Sequence, residues 1–462
     1  MRGSRAGATG ATITALVALA ALVLLPVIRV PFNQQVPERP VVLISIDGLR
    51  PDYVTEADRH GLAIPNLRRF MKEGAYATGV RGVIPTVTYP SHATMVTGVA
   101  PARHGIHSNT TFDPLARNQG GWYWYASDLT TPALWDVAAE NKLTVASVHW
   151  PVTVGARIDW NLPQYWRTGT PDDRKLVRAL STPKLLDDLE NDLGPYADGI
   201  DESTEGDERR ARFVVRLIET RKPGLTLAYF TALDHAQHEH GPFSKEAKEA
   251  LERIDRIVGQ VRQAAEEASG RRAVVAIVSD HGFVATEKAV NLTTAFVQAG
   301  LVTLGTDGKP AKWLAMPWGA GASAAVVLSD STDRGTHTRV RALLDRLAGE
   351  PSNGIEKVLD AAELKAGGGF PGAAFYVAFK PGFTAGGALT GALVTPSTVK
   401  GMHGHLNTLP EMRASFFIAG PGIPVGKSLG EVDMRDVAPT LAAIMGLSLS
   451  NAEGRNLFRG GP

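Results

Sequence analysis

The residues of this chain that are best suited to chemistry are acids and histidines, most of which directly follow apolar runs. The set comprises Asp47, Asp234, His238, Asp280, His281 and His403. Mixed carboxylate and imidazole ligation suits zinc best among the common divalent metals, with manganese or iron as alternatives. Any one of these residues alone is more typical of a turn, a helix cap or a surface position. Their recurrence after separate runs predicts a metal centre.

A hydroxyl nucleophile is the second candidate. Thr88 lies just before Pro90 in residues 85–98, and proline favours the first turn of a helix. A hydroxyl at a helix N-terminus faces unpaired backbone amides and the positive end of the helix dipole, which favour an anion. A threonine hydroxyl becomes a competent nucleophile only when a base or a metal activates it. The alternative role for Thr88 is that of a helix N-cap.

The elements that must position these groups alternate along the chain. Short apolar runs predict strands buried on both faces, at residues 41–46, 143–148, 225–230, 273–278 and 414–420. Helical patterns lie between them, most clearly at residues 131–143 and 244–268. This alternation predicts an α/β fold with a mostly parallel central sheet and helices on both faces. In such sheets, ligands bind beyond the carboxyl ends of the strands, where the candidate acids lie.

Size and composition fit one large domain with an insertion. The chain has 462 residues, 44% of them hydrophobic, and a formal net charge of +1. That charge indicates no nucleic-acid binding surface, and the absence of cysteine excludes disulfides and thiolate ligands. We expect a catalytic domain over residues 41–462. Within it, the glycine- and alanine-rich residues 291–400 are expected to form a small inserted α+β lobe.

The N-terminus predicts export from the cytoplasm. Arg2 and Arg5 precede an uncharged apolar run at residues 11–28, and such a positive flank stays on the cytoplasmic side. Residues 1–30 are therefore expected to be an uncleaved signal anchor, with a cleaved signal peptide as the alternative. Residues 31–40, with proline at both ends, are expected to be a linker. The main domain is predicted to be extracytoplasmic, either membrane-anchored by this segment or secreted.

Five motifs together resemble the nucleotide pyrophosphatase/phosphodiesterase family, the type I phosphodiesterases of the alkaline phosphatase superfamily. They are DGLRPDYV at 47–54, PTVTYPSHATMVTGVAPARHGIHSNTTFDP at 85–114, LDHAQHEHGP at 233–242, SDHGF at 279–283 and GMHGHLN at 401–407. They occur in the family's order and span nearly all of the chain after residue 41. The resemblance implies an alkaline-phosphatase-like fold and hydrolysis of phosphodiester or pyrophosphate bonds in small molecules such as nucleotides.

The resemblance also implies a role for each matching position. Thr88 corresponds to a nucleophile that forms a phospho-threonine intermediate, and Asn109 to a residue that stabilises the phosphoryl oxygen. Tyr229 corresponds to an aromatic residue that stacks on a nucleotide base. Two divalent metal ions, expected to be zinc, are implied as cofactors. The implied ligands are Asp47, Thr88, Asp280 and His281 for the first ion, and Asp234, His238 and His403 for the second.

Three positions depart from the family pattern. Tyr89 stands where phenylalanine is common, Ser91 where asparagine is common, and His405 where an aromatic residue is common. These departures bear on the choice of substrate more than on catalysis. Asn109 and Asn291 also begin formal glycosylation sequons. A glycan on Asn109 would be incompatible with a catalytic role, and we favour catalysis.

Other activities of the same superfamily are alternatives. A phosphomonoesterase or a phosphonate hydrolase can use the same metal pair, and a monoesterase usually adds a positive group, for which Arg50 and Arg103 are candidates. A sulfatase is set aside because it needs cysteine or serine where Thr88 stands. The alternative from a different class is a non-catalytic, membrane-anchored binding protein. All the implied ligand and nucleophile positions are filled, which disfavours it.

Overall fold

The computed structural model describes residues 39–118, 120–196 and 201–458. The signal segment predicted at residues 1–30 lies outside these ranges, and so does the predicted linker except for residues 39 and 40. Among the residues that are described, none of the helices combines the length and the apolar character needed to cross a membrane.

An eight-stranded sheet forms the centre of the fold. In spatial order its strands are Lys427–Ser428, Ala75–Tyr76, Phe416–Ala419, Val274–Val278, Val41–Ile46, Leu225–Phe230, Val145–Val148 and Trp160–Leu162. Five neighbouring pairs are parallel. The strand Phe416–Ala419 runs antiparallel to both of its neighbours. The predicted mostly parallel sheet is confirmed, and all the predicted strands belong to it with the same or narrower limits.

Helices cover both faces of this sheet, as predicted. Every residue of the three central strands is buried. Because successive side chains of a strand point to opposite faces, Ile44 enters one apolar core with Leu217 and Leu251. Its neighbour Leu43 enters a second core with Leu441. Burial on both faces explains why these strands read as continuous apolar runs.

Some helices are shorter than the sequence patterns predicted, and others were not predicted at all. The α-helices of the described residues are Pro51–Thr55, Ala57–His60, Pro65–Glu73, Thr88–Thr97, Pro101–His104, Leu134–Glu140, Asp173–Leu180, Leu185–Leu193, Thr204–Arg221, Ala232–His240, Lys245–Ala268, Leu292–Gln298, Arg334–Ala348, Ala361–Ala366 and Val437–Ile444. Residues 131–143 are helical only at Leu134–Glu140. Helix Thr204–Arg221 was not predicted, because the charged Asp207 and Arg210 interrupt its buried face.

An antiparallel sheet lies within the residues predicted to form an inserted lobe. Its strands, in spatial order, are Ala315–Gly319, Ser323–Leu328, Phe375–Phe379 and Ile355–Asp360. Together with helices Leu292–Gln298 and Arg334–Ala348 it encloses an apolar core of its own. The described residues cluster as one compact unit, so the separate lobe at 291–400 stays a prediction. Two smaller strand pairs join Val302–Leu304 to Pro310–Trp313 and Gly79–Arg81 to Glu431–Asp433.

A further sheet links the segment after Asp280 to the late histidine. Its long strand, Val284–Val290, pairs with Gly382–Ala385, Val394–Pro396 and Gly401–Met402. In the last pairing Met402 lies opposite Val284. This register places His403 next to the residues that precede Val284, so two distant parts of the sequence become neighbours.

Candidate active site

The three candidate aspartates meet at the carboxyl edge of the central sheet. The strands that precede them lie side by side, run parallel and are in register. Asp47, Asp234 and Asp280 follow the ends of these strands and are 3%, 9% and 0% exposed. The position expected for ligand residues in a parallel sheet is therefore where the structure places them.

These carboxylates form two groups with histidines. Ligand atoms lie within 4.8 Å of one another in two triplets, Asp234 with His238 and His403, and Asp47 with Asp234 and His281. Asp280 adjoins the second triplet, because its Oδ2 lies 3.3 Å from His281 Nε2. The same Nε2 lies 3.3 Å from Asp47 Oδ1. Asp234 belongs to both triplets, so the two groups share this one residue.

A main-chain carbonyl orients each of the three histidines. The Nδ1 atoms of His238, His281 and His403 lie 3.0, 3.2 and 3.3 Å from the carbonyl oxygens of Gly401, Gly282 and Thr86, respectively. A carbonyl oxygen can only accept a hydrogen bond, so Nδ1 carries the hydrogen in each ring. The Nε2 of each ring then faces the carboxylates, which is how metal-binding histidines are arranged.

Several buried atoms of this site have no hydrogen-bond partner among the described residues. They are Oδ1 of Asp47, Oδ1 of Asp234, Oδ2 of Asp280 and Nε2 of His281. Burial, together with Asp234 and Asp280, raises the pKa of Asp47 well above its ordinary value. Burial of a carboxylate is costly unless a cation compensates its charge. The donor set and its unpartnered atoms fit bound metal cations.

Thr88 is the first residue of helix Thr88–Thr97, and Val87 is the N-cap. The N-cap role considered for Thr88 is therefore wrong, but its hydroxyl does lie at a helix N-terminus. Asn109 adjoins it, with Nδ2 3.5 Å from Thr88 Oγ1. The other end of the same amide accepts a hydrogen bond of 2.9 Å from the Tyr89 backbone amide. Asn109 thus contacts both the hydroxyl and the helix start that carries it.

His92 connects Thr88 with the carboxylate cluster, a role that the sequence analysis missed. Its buried ring places Nδ1 2.8 Å from the Thr88 carbonyl oxygen and 3.7 Å from Asp280 Oδ2. Nε2 lies 2.9 Å from Ser45 Oγ. Burial lowers the pKa of His92 to about 4, so the ring is neutral at pH 7. Its spacing from Thr88, one helical turn, was the signal available in the sequence.

Tyr229 supports a carboxylate and offers no face to a ligand. The side chain is 2% exposed, and its hydroxyl donates a hydrogen bond to Asp47 Oδ2. The ring packs against His92 and His149, with centroid distances of 4.5 and 5.8 Å. Stacking on a base requires an accessible aromatic face. The base-stacking role predicted for Tyr229 therefore does not fit this structure.

The three departures from the family pattern are all in the interior. Tyr89 and Ser91 are fully buried, and the Tyr89 ring packs edge-to-face against Trp122 at 5.2 Å. His405 is 2% exposed, and its carbonyl accepts a hydrogen bond of 2.7 Å from Thr86 Oγ1. Any effect of these residues on substrate choice is thus exerted through packing.

The candidate arginines are engaged by other partners. Arg50 donates from Nε to Asp52 Oδ1 at 3.1 Å and from Nη1 to the Phe283 carbonyl at 3.0 Å. Arg103 Nη1 forms an ion pair with Glu453 at 3.4 Å. Among the described residues, neither arginine forms a hydrogen bond or an ion pair with Thr88 or Asn109.

The side chain of Asn291, which begins the second sequon, is buried and contacts other residues. Asn291 is 2% exposed. Its amide nitrogen donates to the Ala392 carbonyl at 3.1 Å and lies 3.3 Å from Thr395 Oγ1. A glycan on this nitrogen would displace both contacts, so the folded chain does not present Asn291 as an acceptor.

Comparison with known proteins agrees with this geometry. The model of the family described as type I phosphodiesterase/nucleotide pyrophosphatase matches residues 41–381. An uncharacterized pyrophosphatase/phosphodiesterase of Schizosaccharomyces pombe is 26% identical over 275 residues, which cover 57% of this chain and 49% of that protein. The chain spans about half or less of the length of the curated relatives that it matches.

Solved structures show the same fold. Human ectonucleotide pyrophosphatase/phosphodiesterase 5 superposes with a TM-score of 0.65 at 19% identity, covering 90% of this chain and 97% of that one. An inactive variant of the murine protein of the same name, in complex with AMP, gives a TM-score of 0.64 at 18% identity, with coverage of 90% and 97%. The expected alkaline-phosphatase-like α/β architecture is confirmed.

The tight packing behind His281 generates the first prediction. A Cβ on Gly282 would lie 1.9 Å from the Glu411 carbonyl oxygen, so Gly282→Ala must displace the backbone beside His281. We expect a loss of about 1–3 kcal/mol of stability, measured as a lower Tm by circular dichroism. Gly387→Ala is the control, because a Cβ there meets nothing within 4 Å. An unchanged Tm for Gly282→Ala would show that the backbone relaxes freely at this point.

Proposed function

Since the chain belongs to the type I phosphodiesterase/nucleotide pyrophosphatase family, we propose that it is a metal-dependent hydrolase of phosphodiester or pyrophosphate bonds with Thr88 as its nucleophile. The observation that carries the proposal is the set of buried carboxylate oxygens without hydrogen-bond partners at the carboxyl edge of the sheet. Bound cations would compensate the charge of such a set. The Thr88 hydroxyl lies at a helix N-terminus, and His92 lies between the Thr88 carbonyl and Asp280.

Two zinc ions are the proposed cofactors. The proposed ligands are Asp47, Thr88, Asp280 and His281 for the first ion, and Asp234, His238 and His403 for the second. The second set is supported by the 4.8 Å triplet, and the first by the two carboxylate oxygens 3.3 Å from His281 Nε2. When bound, the two cations would neutralise charge on the phosphoryl oxygens and favour ionisation of the Thr88 hydroxyl.

The covalent steps involve Thr88 alone among the protein groups. Its Oγ forms a bond to phosphorus while the bond from phosphorus to the leaving oxygen breaks, and the departing alcohol or phosphate takes up a proton. The product of this step is a phospho-threonine. Water then attacks phosphorus, the bond to Oγ breaks, and Thr88 recovers its hydroxyl hydrogen as the phosphomonoester leaves.

Other residues of the chain hold these groups in place. The start of helix Thr88–Thr97 directs the positive end of its dipole to the phosphoryl group. Asn109 Nδ2 donates to the oxygen on which charge grows. We assign Tyr229 the task of orienting Asp47 through its hydrogen bond. His92 fixes the Thr88 carbonyl and thereby the first turn of the helix.

A nucleotide-sized diester is the proposed substrate, and the extracytoplasmic side the proposed location. The AMP complex of a structural neighbour supports a nucleotide. The engagement of Arg50 with Asp52, and of Arg103 with Glu453, removes the support for a phosphomonoesterase. The N-terminal run at residues 11–28 and the designation of the neighbours as ectonucleotide enzymes support an external position, anchored or secreted.

The decisive test is the preference of the purified full-length protein between bis-p-nitrophenyl phosphate and p-nitrophenyl phosphate. The protein is first stripped with a chelator and then reloaded with zinc or with magnesium. We expect a higher kcat/KM for the diester, and better recovery with zinc, because imidazole ligands favour zinc over magnesium. A preference for the monoester would contradict the phosphodiesterase assignment. Equal rescue by magnesium would contradict the proposed ligands.

The nucleophile assignment generates a second prediction for this site. Thr88→Ala should lower kcat for the diester by at least about a thousandfold. Zinc content, measured by inductively coupled plasma mass spectrometry, should stay near the wild-type value because the other ligands remain. Thr88→Ser is the matched control, since it keeps an oxygen at the same position and should retain measurable turnover. Substantial activity in Thr88→Ala would sink the assignment.

The proposed donor role of Asn109 can be tested separately from its contact with the Tyr89 amide. Asn109→Asp keeps an oxygen to accept from the Tyr89 amide but loses the Nδ2 donor beside Thr88. We expect kcat to fall by about 10²–10³-fold with little change in Tm. Asn141→Asp is the control, because the Asn141 amide donates to the Val137 carbonyl of its own helix. If kcat is unaffected in Asn109→Asp, the residue is a helix cap and not a donor to the phosphoryl group.

A further inference from the structure

A buried aspartate from another helix holds the start of the helix that carries two proposed ligands. Helix Ala232–His240 begins directly after a central strand, and its N-cap Thr231 makes no side-chain capping bond. Asp207, on helix Thr204–Arg221, is fully buried against this start. One side chain thus takes over the capping that the local sequence does not supply.

Asp207 accepts hydrogen bonds from two backbone amides at the start of that helix. Asp207 Oδ2 accepts from the Thr231 amide at 3.0 Å and from the Ala232 amide at 2.9 Å. Asp207 Oδ1 also lies 3.2 Å from the Thr231 amide. Unpaired amides at a helix start normally find a local cap or water. Here a carboxylate far away in sequence satisfies two of them.

Arg210 holds this carboxylate in turn. It is fully buried, and its Nη1 donates to Asp207 Oδ1 at 2.9 Å and to Thr231 Oγ1 at 3.4 Å. Arg210 Nη2 also donates to the Asp201 carbonyl. The helix start is therefore attached to helix Thr204–Arg221 by a network of charged groups, none of which is a proposed metal ligand.

The consequence for the metal site follows from helix geometry. Asp234 is the third residue of the helix, and His238 lies one turn later, with Nε2 3.2 Å from Asp234 Oδ2. Both side chains move together if the helix tilts, and fraying of its first turn moves Asp234 relative to His238. We propose that Asp207 is a positioning residue for the second metal, which holds this helix at the angle at which Asp234 and His238 bind one ion. This inference rests on the proposed two-metal function.

The chain offers a matched control. Asp255 is 1% exposed and caps helix Pro65–Glu73 in the same remote way, accepting from the Leu67 amide at 2.7 Å and from the Asn66 amide at 3.2 Å. None of the proposed ligands lies on helix Pro65–Glu73. Asp255→Asn therefore loosens a helix start of the same kind without touching the metal site.

The experiment compares Asp207→Asn, Asp255→Asn and the wild type in titrations of both bound zinc and activity against buffered free zinc, with Tm recorded for each. Loss of groups that orient metal ligands lowers metal affinity about 10- to 100-fold. We expect such a rise in the zinc concentration for half-maximal activity in Asp207→Asn, with kcat largely restored at saturating zinc. Asp255→Asn should lower Tm but leave the zinc midpoint within about twofold of wild type.

Two results would overturn the inference. One is a zinc midpoint for Asp207→Asn within about twofold of wild type; the other is an equal shift in Asp255→Asn at the same loss of Tm, which would indicate a general effect of stability. If Asp207→Asn fails to fold, the double variant Asp207→Asn/Arg210→Met, which removes both buried charges, is judged by the same criteria. Failure of the wild type to bind zinc or turn over the diester would instead refute the proposed function.

Discussion

The repulsion among three buried carboxylates is the constraint on which the rest of this site depends. Parallel pairing brings the ends of three strands to one edge, so Asp47, Asp234 and Asp280 are adjacent because the backbone puts them there. Like charges a few ångströms apart in a poorly solvated place are strongly unfavourable. Burial together with the neighbouring acids accordingly raises the pKa of Asp47. Positive charge between the acids would therefore stabilise the folded arrangement.

In each of the three carboxylates, the protein provides a polar partner for one oxygen and leaves the other without a hydrogen bond from the described residues. Asp280 Oδ1 accepts from the backbone amides of Gly48 and His281, both at 3.1 Å. Tyr229 donates to Asp47 Oδ2, and His238 Nε2 lies 3.2 Å from Asp234 Oδ2. In all three acids the other oxygen has no hydrogen-bond partner within the described residues. One oxygen is thus used to fix the direction of the side chain and the other is left for a ligand, which distinguishes a binding site from a self-satisfied polar core.

The sequence predicted those features of the fold and site that depend on residues close together in the chain, and missed several that depend on residues far apart in the chain. Strand ends and the acids after them were predictable, because a buried parallel strand has a local signature and its carboxyl edge is fixed by topology. The base-stacking role of Tyr229 failed because its partner, Asp47, lies on the neighbouring strand. His92 was accessible in principle from its spacing to Thr88. Helix Thr204–Arg221 was not predictable, because the ion pair of Asp207 and Arg210 interrupts the apolar pattern of its buried face.

The late histidine shows why the site and the fold are coupled. His403 is placed by the pairing of Met402 with Val284, in a sheet separate from the central one. The second proposed metal set therefore draws on the central sheet, on helix Ala232–His240 and on this additional sheet. A cation that binds all three favours the state in which they are assembled, since binding free energy to the native arrangement adds to its stability. In the proposed enzyme, the ion that compensates the buried acids would also stabilise the position of the segment after residue 400 at the edge of the central sheet.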